Sequence, residues 1–274
     1  MSLSGFITGV GLWGPGLAGW PQARAVLAGR APYEPSDAPL PTPPLLPPAE
    51  RRRVGLAVRL ALSVASEALA MAGLAPNTVR TVFGTSNGDG AVLHTLLETL
   101  SSAEPQLSPT QFHNSVHNAA AGYWTIAAAS RMPASCVSLY DWSFSAALLA
   151  AMGELAAEGA PVLLCAYDVP LPGPLAQKRR TIGAFAAALM LSPTLQPSAL
   201  ASLEVNFVAE PALSSEERPR NEALHDLAEG NSAARSLRLL ENLAREEQEA
   251  FSLGYLEDAR LDIVLSPCLH APQS

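Results

Sequence analysis

Hydrophobic positions along this chain alternate between short continuous apolar runs and longer stretches with helical spacing. Residues 5–13 (GFITGVGLW) read as a first strand, with glycines of the kind used where backbones approach closely. A short helix is predicted around 20–27. Residues 31–48 hold eight prolines in eighteen positions, which makes them an extended surface loop. From 49 to 74 the apolar groups recur with helical spacing, stop at Gly73 and meet Pro76, predicting one long helix. A short buried strand at 80–84 and a helix at 91–100 follow. Residues 116–130 (VHNAAAGYWTIAAAS) read as a helix of small residues, against which something must pack closely. Next come a strand at 135–140, a helix at 143–157, a buried strand at 161–167, a Pro-rich basic loop at 168–182 and a strand at 183–191. Residues 201–209 alternate as a half-exposed strand does. Strands separated by helices predict a layered α/β fold.

The region beyond 214 changes character. It is charged and contains an amphipathic helix with Leu237, Leu240, Leu243 and Ala244 on one side, a face expected to be core; 261–265 adds a last short strand. Neither an internal repeat nor a second core is visible. The expected organisation is one domain over 1–213, with 214–274 as a charged helical tail packed on it.

Of the 274 residues, 49% are hydrophobic and 15% charged, as suits one sizeable core. A net charge of −8 argues against a broad phosphate-binding surface, so no nucleic-acid partner is expected. Two local basic patches stand out, Arg51-Arg52-Arg53 and Lys178-Arg179-Arg180, and the second reads as a solvated loop. The three cysteines (Cys136, Cys165, Cys268) form no CxxC pair, and the first two lie in apolar strand-like runs as inert buried thiols. The opening residues enter a strand pattern with no basic leader, and there is no apolar run of about 18 residues. A cytoplasmic protein without a membrane span is expected.

Three stretches invite chemistry. The segment GTSNG at 84–88 matches the GxSxG pattern that can present Ser86 as a nucleophile, with His225 or His270 and Asp226 or Asp262 available downstream. Only one clear strand precedes it, however, and Gly88-Asp89-Gly90 suits a loop better than a tight helix start. His113 and His117 lie four residues apart, which on a helix would align two zinc ligands. With no Glu beside them and no third ligand, polar packing by His113, Asn114 and Asn118 in a turn explains them better, and no metal or other cofactor is expected. The third stretch is SCVSLYDWSFSAALLAA at 135–151: strand, sharp break, helix. A free helix N-terminus there would activate a thiol and stabilise an oxyanion, but the break reads Asp141-Trp142-Ser143.

Four stretches in order resemble the N-terminal half of a β-ketoacyl synthase, the thiolase-fold condensing enzyme: GFITGVGLWGP from residue 5, the basic start and Ala/Leu helix at 51–74, TVFGTSNGDG at 81–90, and 135–167. The resemblance spans roughly residues 1–210. It implies a thiolase-like half, layered α-β-α around a mixed five-stranded sheet, with the C-terminal half of a full ketosynthase truncated. Counting back from the turn at Gly159, the family's nucleophilic cysteine falls on Trp142, or on Asp141 with one gap. His225 and His270 sit in no histidine motif of the family. The segment SPTQFHNSVHNAAAGYW at 108–124 is similar to the signature of chain length factors of the aryl polyene type.

That resemblance implies a subunit without catalytic residues of its own, paired with an intact β-ketoacyl synthase through the strand from Ser135 to Tyr140. An acyl carrier protein would be an indirect partner, and a homodimer is open in isolation. Phe112, His113 and Val116 would face the partner's acyl tunnel, with Tyr140, Trp142 and Phe144 near the inactive site. Two alternatives stand beside it: a serine hydrolase using Ser86, and a self-sufficient thiolase-fold acyltransferase, for which Cys136 is the only nearby thiol.

Overall fold

The computed structural model describes residues 2–36, 39–212 and 217–268. His270 and the expected boundary at 213/214 lie outside them. The described residues form one nine-stranded mixed sheet with helices on both faces. Strand β1 (Ser2–Gly14) is followed by the short β2 (Leu17–Ala18), α1 (Trp20–Leu27), α2 (Pro48–Arg51), α3 (Leu56–Ala72) and β3 (Arg80–Gly84). Then come α4 (Gly90–Leu100), α5 (Pro109–Asn114), α6 (Ala119–Ala127), β4 (Ala134–Val137), α7 (Ser143–Glu158) and β5 (Val162–Asp168). The chain continues through α8 (Gly173–Lys178), β6 (Phe185–Ser192), β7 (Ala201–Val208), α9 (His225–Gly230), α10 (Leu237–Arg245), β8 (Glu249–Gly254) and β9 (Arg260–Pro267).

The strand order is β4-β3-β5-β6-β1-β7-β9-β8, with β2 hooked onto the end of β1. Strands β4, β3 and β5 run parallel and the remaining pairs antiparallel. The first five strands of that order are the mixed sheet expected from the sequence. It is larger than five because β7, β9 and β8 continue the ladder past β1. Strand β8 carries no strong alternation and was not anticipated; its pairing with β9 supplies what its sequence lacks.

Strands β5 and β6 are buried along their whole length, which is why they read as unbroken apolar runs. Val162, Leu164 and Ala166 join one core layer with α1, α7 and α10. Leu163, Cys165 and Tyr167 join the other with α3 and α6. The leucine face of α10 is buried as expected. Helix α3 lies directly on β1: a Cβ on Gly11 would sit 1.9 Å from the Val64 carbonyl oxygen, and one on Gly9 2.1 Å from that of Ala68. The strand's glycines are therefore the condition for backbone contact.

The local departures have local causes. The long helix predicted for 49–74 breaks at 52–55, where Gly55 leaves room for the Asp89 carboxylate; a Cβ there would lie 1.9 Å from Oδ2. The helix predicted for 116–130 starts only at Ala119 and stops at Ala127, and α5 precedes it. The strand expected over 135–140 ends at Val137, and a 3-10 turn occupies Tyr140–Trp142. The basic loop at 168–182 contains the short helix α8.

Candidate functional site

At one end of the sheet lies β4, paired on a single side. The chain leaves it and turns sharply through Tyr140–Trp142 into α7. Ser143, fully buried, staples this turn: its hydroxyl donates to the Tyr140 carbonyl (2.7 Å) and accepts from the Leu139 amide (3.0 Å). Tyr140 adopts φ 50°, in the left-handed region, which costs a bulky L residue about 1–2 kcal/mol. No side chain caps the N-terminus of α7. The residue immediately before α7, at the end of this turn, is Trp142. The indole edge of Trp142 covers Gly254 at the end of β8, where an added Cβ would lie 2.9 Å from Nε1.

A second element closes over the turn. The Arg179 guanidinium donates to Asp141 Oδ1 (2.8 Å), Ser86 Oγ (2.6 Å) and Asn87 Oδ1 (2.9 Å). Its Cζ lies 3.6 Å from the centroid of the Tyr140 ring, as in a cation–π stack. The expectation of a solvated loop at Lys178-Arg179-Arg180 therefore fails for Arg179, while Lys178 and Arg180 are exposed. Nothing in the sequence distinguishes the middle cation of the three, because its partners are 38 to 93 positions away.

Below the turn, the buried carboxylate of Asp168 organises the loop after β3. It accepts from Thr85 Oγ1 (2.8 Å), the amides of Ser86 (3.0 Å) and Asn87 (2.9 Å), and Ser232 Oγ. Burial pushes this carboxyl above its usual range, and the Ser232, Asn87, Thr85 and Ser86 donors pull it back. Asn231 ties the same region together, donating to the Gly183 carbonyl (2.9 Å) and accepting from the Ala233 amide (3.0 Å). Asp168, Asn231 and Ser232 were all missed by sequence reasoning. A buried aspartate ending an apolar strand was the available signal.

The other expected chemistry disperses. Ser86 is bound by Arg179, and its amide belongs to the Asp168 cradle. The ring of His225 instead contacts the Pro219 carbonyl (2.8 Å), and Asp262 is held by Arg260 on its own strand β9 and by Ser252 on β8. Residues 84–88 are thus a carboxylate-anchored turn. His113 lies in α5 and His117 beyond its end, so the two do not share a helix face. His113 packs edge-on against Tyr123, and His117 contacts the Thr85 carbonyl (3.3 Å). Asn114 satisfies the Arg53 carbonyl (2.9 Å) and accepts from the Tyr123 hydroxyl, whereas Asn118 is exposed. Among the described residues no cluster of three or more His, Cys, Asp or Glu could hold a metal ion. Cys165 is buried as expected, but Cys136 is only partly covered because β4 is an edge. Burial still raises the Cys136 thiol to about 11, which keeps it protonated at neutral pH.

The residues expected to face a partner divide. Phe112 is 61% exposed, Val116 42% and Tyr140 58%, and His113 is exposed beside them in sequence; Phe144 is a core side chain at 1%. Ile126 on α6, 73% exposed, was not singled out from the sequence.

A layered α/β fold with a turn of this kind at the head of a long helix defines a thiolase-like protein. Residues 27–252 match the family described as β-ketoacyl synthase, N-terminal domain, and the chain belongs to that family. Among solved structures it is similar to a chain of the ketosynthase (ApeO) in complex with its chain length factor (ApeC) from Xenorhabdus doucetiae, at 23% identity and TM-score 0.73, over 96% of this chain and 99% of that one. It is also similar to the ishigamide ketosynthase/chain length factor (16%, 0.70, 97% and 100%). A β-ketoacyl synthase from Burkholderia phymatum STM815 gives 14%, 0.69, 98% and 100%. Among curated protein sequences, none matches. No helix among the described residues is long and apolar enough to cross a membrane.

Proposed function

We propose that this chain is a chain-length-factor-type subunit, without condensing activity of its own, that pairs in the cytosol with an active β-ketoacyl synthase and limits the length of its acyl or polyene product. One observation carries the reading. The turn at the head of α7 carries Asp141 and Trp142 and no thiol, and Arg179 holds Asp141 in an ion pair. Neither an indole nor a paired carboxylate attacks a thioester, and the nearest thiol in sequence, Cys136, lies on the strand with its proton held. The similarity to complexes of a ketosynthase with a chain length factor supports the pairing. So does the edge of β4, whose unpaired backbone groups invite a second strand. The acyl carrier protein would then serve the synthase and meet this chain only indirectly.

Phe112, His113 and Val116 would form part of the floor of the partner's tunnel, with Tyr140 and Trp142 near the inactive turn. An extra methylene forced against such a wall costs about 1–3 kcal/mol, and about 1.4 kcal/mol is tenfold in partitioning. Phe144, within the core, would support the turn from behind.

Coexpression with the cognate synthase tests the proposal. A stable one-to-one complex should form, and intact mass after incubation with acyl carrier substrates should show no adduct on this chain. A covalent acyl adduct here, or condensation by this chain alone, would refute it. In the complex, Phe112→Ala should shift the product distribution to longer chains. An unchanged distribution would remove Phe112 as the stop.

A further inference from the structure

Strand β4 is four residues long and offers few ladder bonds to a partner. So short an edge specifies register weakly. Three residues past its end stands Tyr140, with several features that do not ordinarily occur together. Its ring is largely in solvent although its backbone is held in a conformation unfavourable for a bulky side chain. The ring is stacked by Arg179, and that guanidinium is clamped by Asp141, Ser86 and Asn87. The clamp is itself anchored, because Asp168 fixes the amides of Ser86 and Asn87, and Asn87 Nδ2 donates to Thr181 Oγ1 (2.8 Å) on the loop that carries Arg179. A fully packed side chain gains its rigidity from burial, but Tyr140 gains it from a bound cation on one ring face. More than half of the Tyr140 surface remains exposed.

Resting on the subunit reading above, we propose that Tyr140 is the principal side-chain anchor for the synthase subunit, and that Arg179 is a positioning residue that pre-orients it. Aromatic and arginine side chains dominate interface energetics, and a ring already ordered before binding loses little freedom on docking. The occupant is the synthase rather than another class of protein because the anchor follows, within three residues, the strand whose open edge the subunit reading assigns to it. Exposed Ile126 lies on α6, which packs beside that strand. The unfavourable φ of Tyr140 accordingly belongs to recognition, not to the stability of this chain.

The test measures the dissociation constant of the complex with the cognate synthase, alongside the melting temperature of this chain alone. Tyr140→Asn removes the ring and suits φ 50°, so the chain should melt no lower than the parent while binding weakens about 30-fold, as for a hot spot. Tyr140→Phe should bind within about threefold of the parent, because the stacked ring remains. Arg179→Met should weaken binding about tenfold, a smaller loss than removing the anchor itself. Because Arg179 acts only through Tyr140, the double variant Tyr140→Asn/Arg179→Met should bind no worse than Tyr140→Asn. If the parent does not bind the synthase, the subunit reading itself fails. If the parent binds and Tyr140→Asn binds equally well, or the two losses simply add, the anchor is overturned while the subunit reading stands. A loss confined to self-association of this chain would likewise overturn it by assigning the anchor to a homodimer.

Discussion

At the residue scale, the centre of the site is Asp168, not the turn it supports. A buried carboxylate accepting from two hydroxyls and two amides is stable only while every donor has its acceptor. Asp168→Asn places an amide N–H among those donors. It should cost about 3 kcal/mol in denaturant unfolding. A loss below about 1 kcal/mol would mean that the loop after β3 holds its shape without the second acceptor oxygen. Legibility at this scale was uneven. The end of the helix at Gly159 could be read, because a glycine in the left-handed region stops it. Arg179 could not, since three adjacent cations look alike until the fold turns one of them inward.

At the element scale, the glycines separate two physical situations. In β1, Gly11 stands where the backbone of α3 presses on the strand, so Gly11→Ala should cost about 3 kcal/mol or more and lower the yield of folded protein. In α7, an added Cβ on Gly153 meets nothing within 4 Å. Gly153→Ala should raise stability by about 0.5–1 kcal/mol, the ordinary gain for alanine in a helix interior. Equal effects of either sign at the two sites, read from melting curves, would contradict this packing. Elements with strong local signals were read well. Helix α7 ends at Gly159, in the left-handed region, and β5 and β6 are apolar throughout. Elements bounded by tertiary demands were not. The helix predicted from 49 breaks at Gly55 because Asp89, 34 positions later, needs the space.

For the whole molecule, the distribution of buried carboxyls sets a pH dependence. Burial raises Glu67, Asp89, Asp168 and Glu241 above their usual values despite the hydrogen bonds they accept. Each group favours the folded state most when protonated. Its contribution is complete below the ordinary carboxyl range, near pH 4, and is lost as pH rises through the raised value. Asp262 runs the other way: burial pushes it up, but Arg260 and Ser252 bring it below the usual value, so its contribution is lost as pH falls. With four groups against one, the denaturation midpoint followed upward from about pH 4 should decline. Glu67→Gln should make that decline shallower. A variant with the parent's slope would remove Glu67 from the account.

The sequence by itself determined the alternation of strands and helices, the burial of the central strands and the absence of a thiol at the turn. These rest on periodicity and on residue identity and polarity, all of which are local. Only the tertiary structure decided that the tail would add β8 and β9 to the sheet, that Arg179 would lie over Tyr140, and that Asp168, Asn231 and Ser232 would gather beside the loop after β3. Hydrogen bonds and strand pairings between positions tens of residues apart leave no periodic trace in a single chain, because each needs only one suitable donor or acceptor brought near by the packing of everything else.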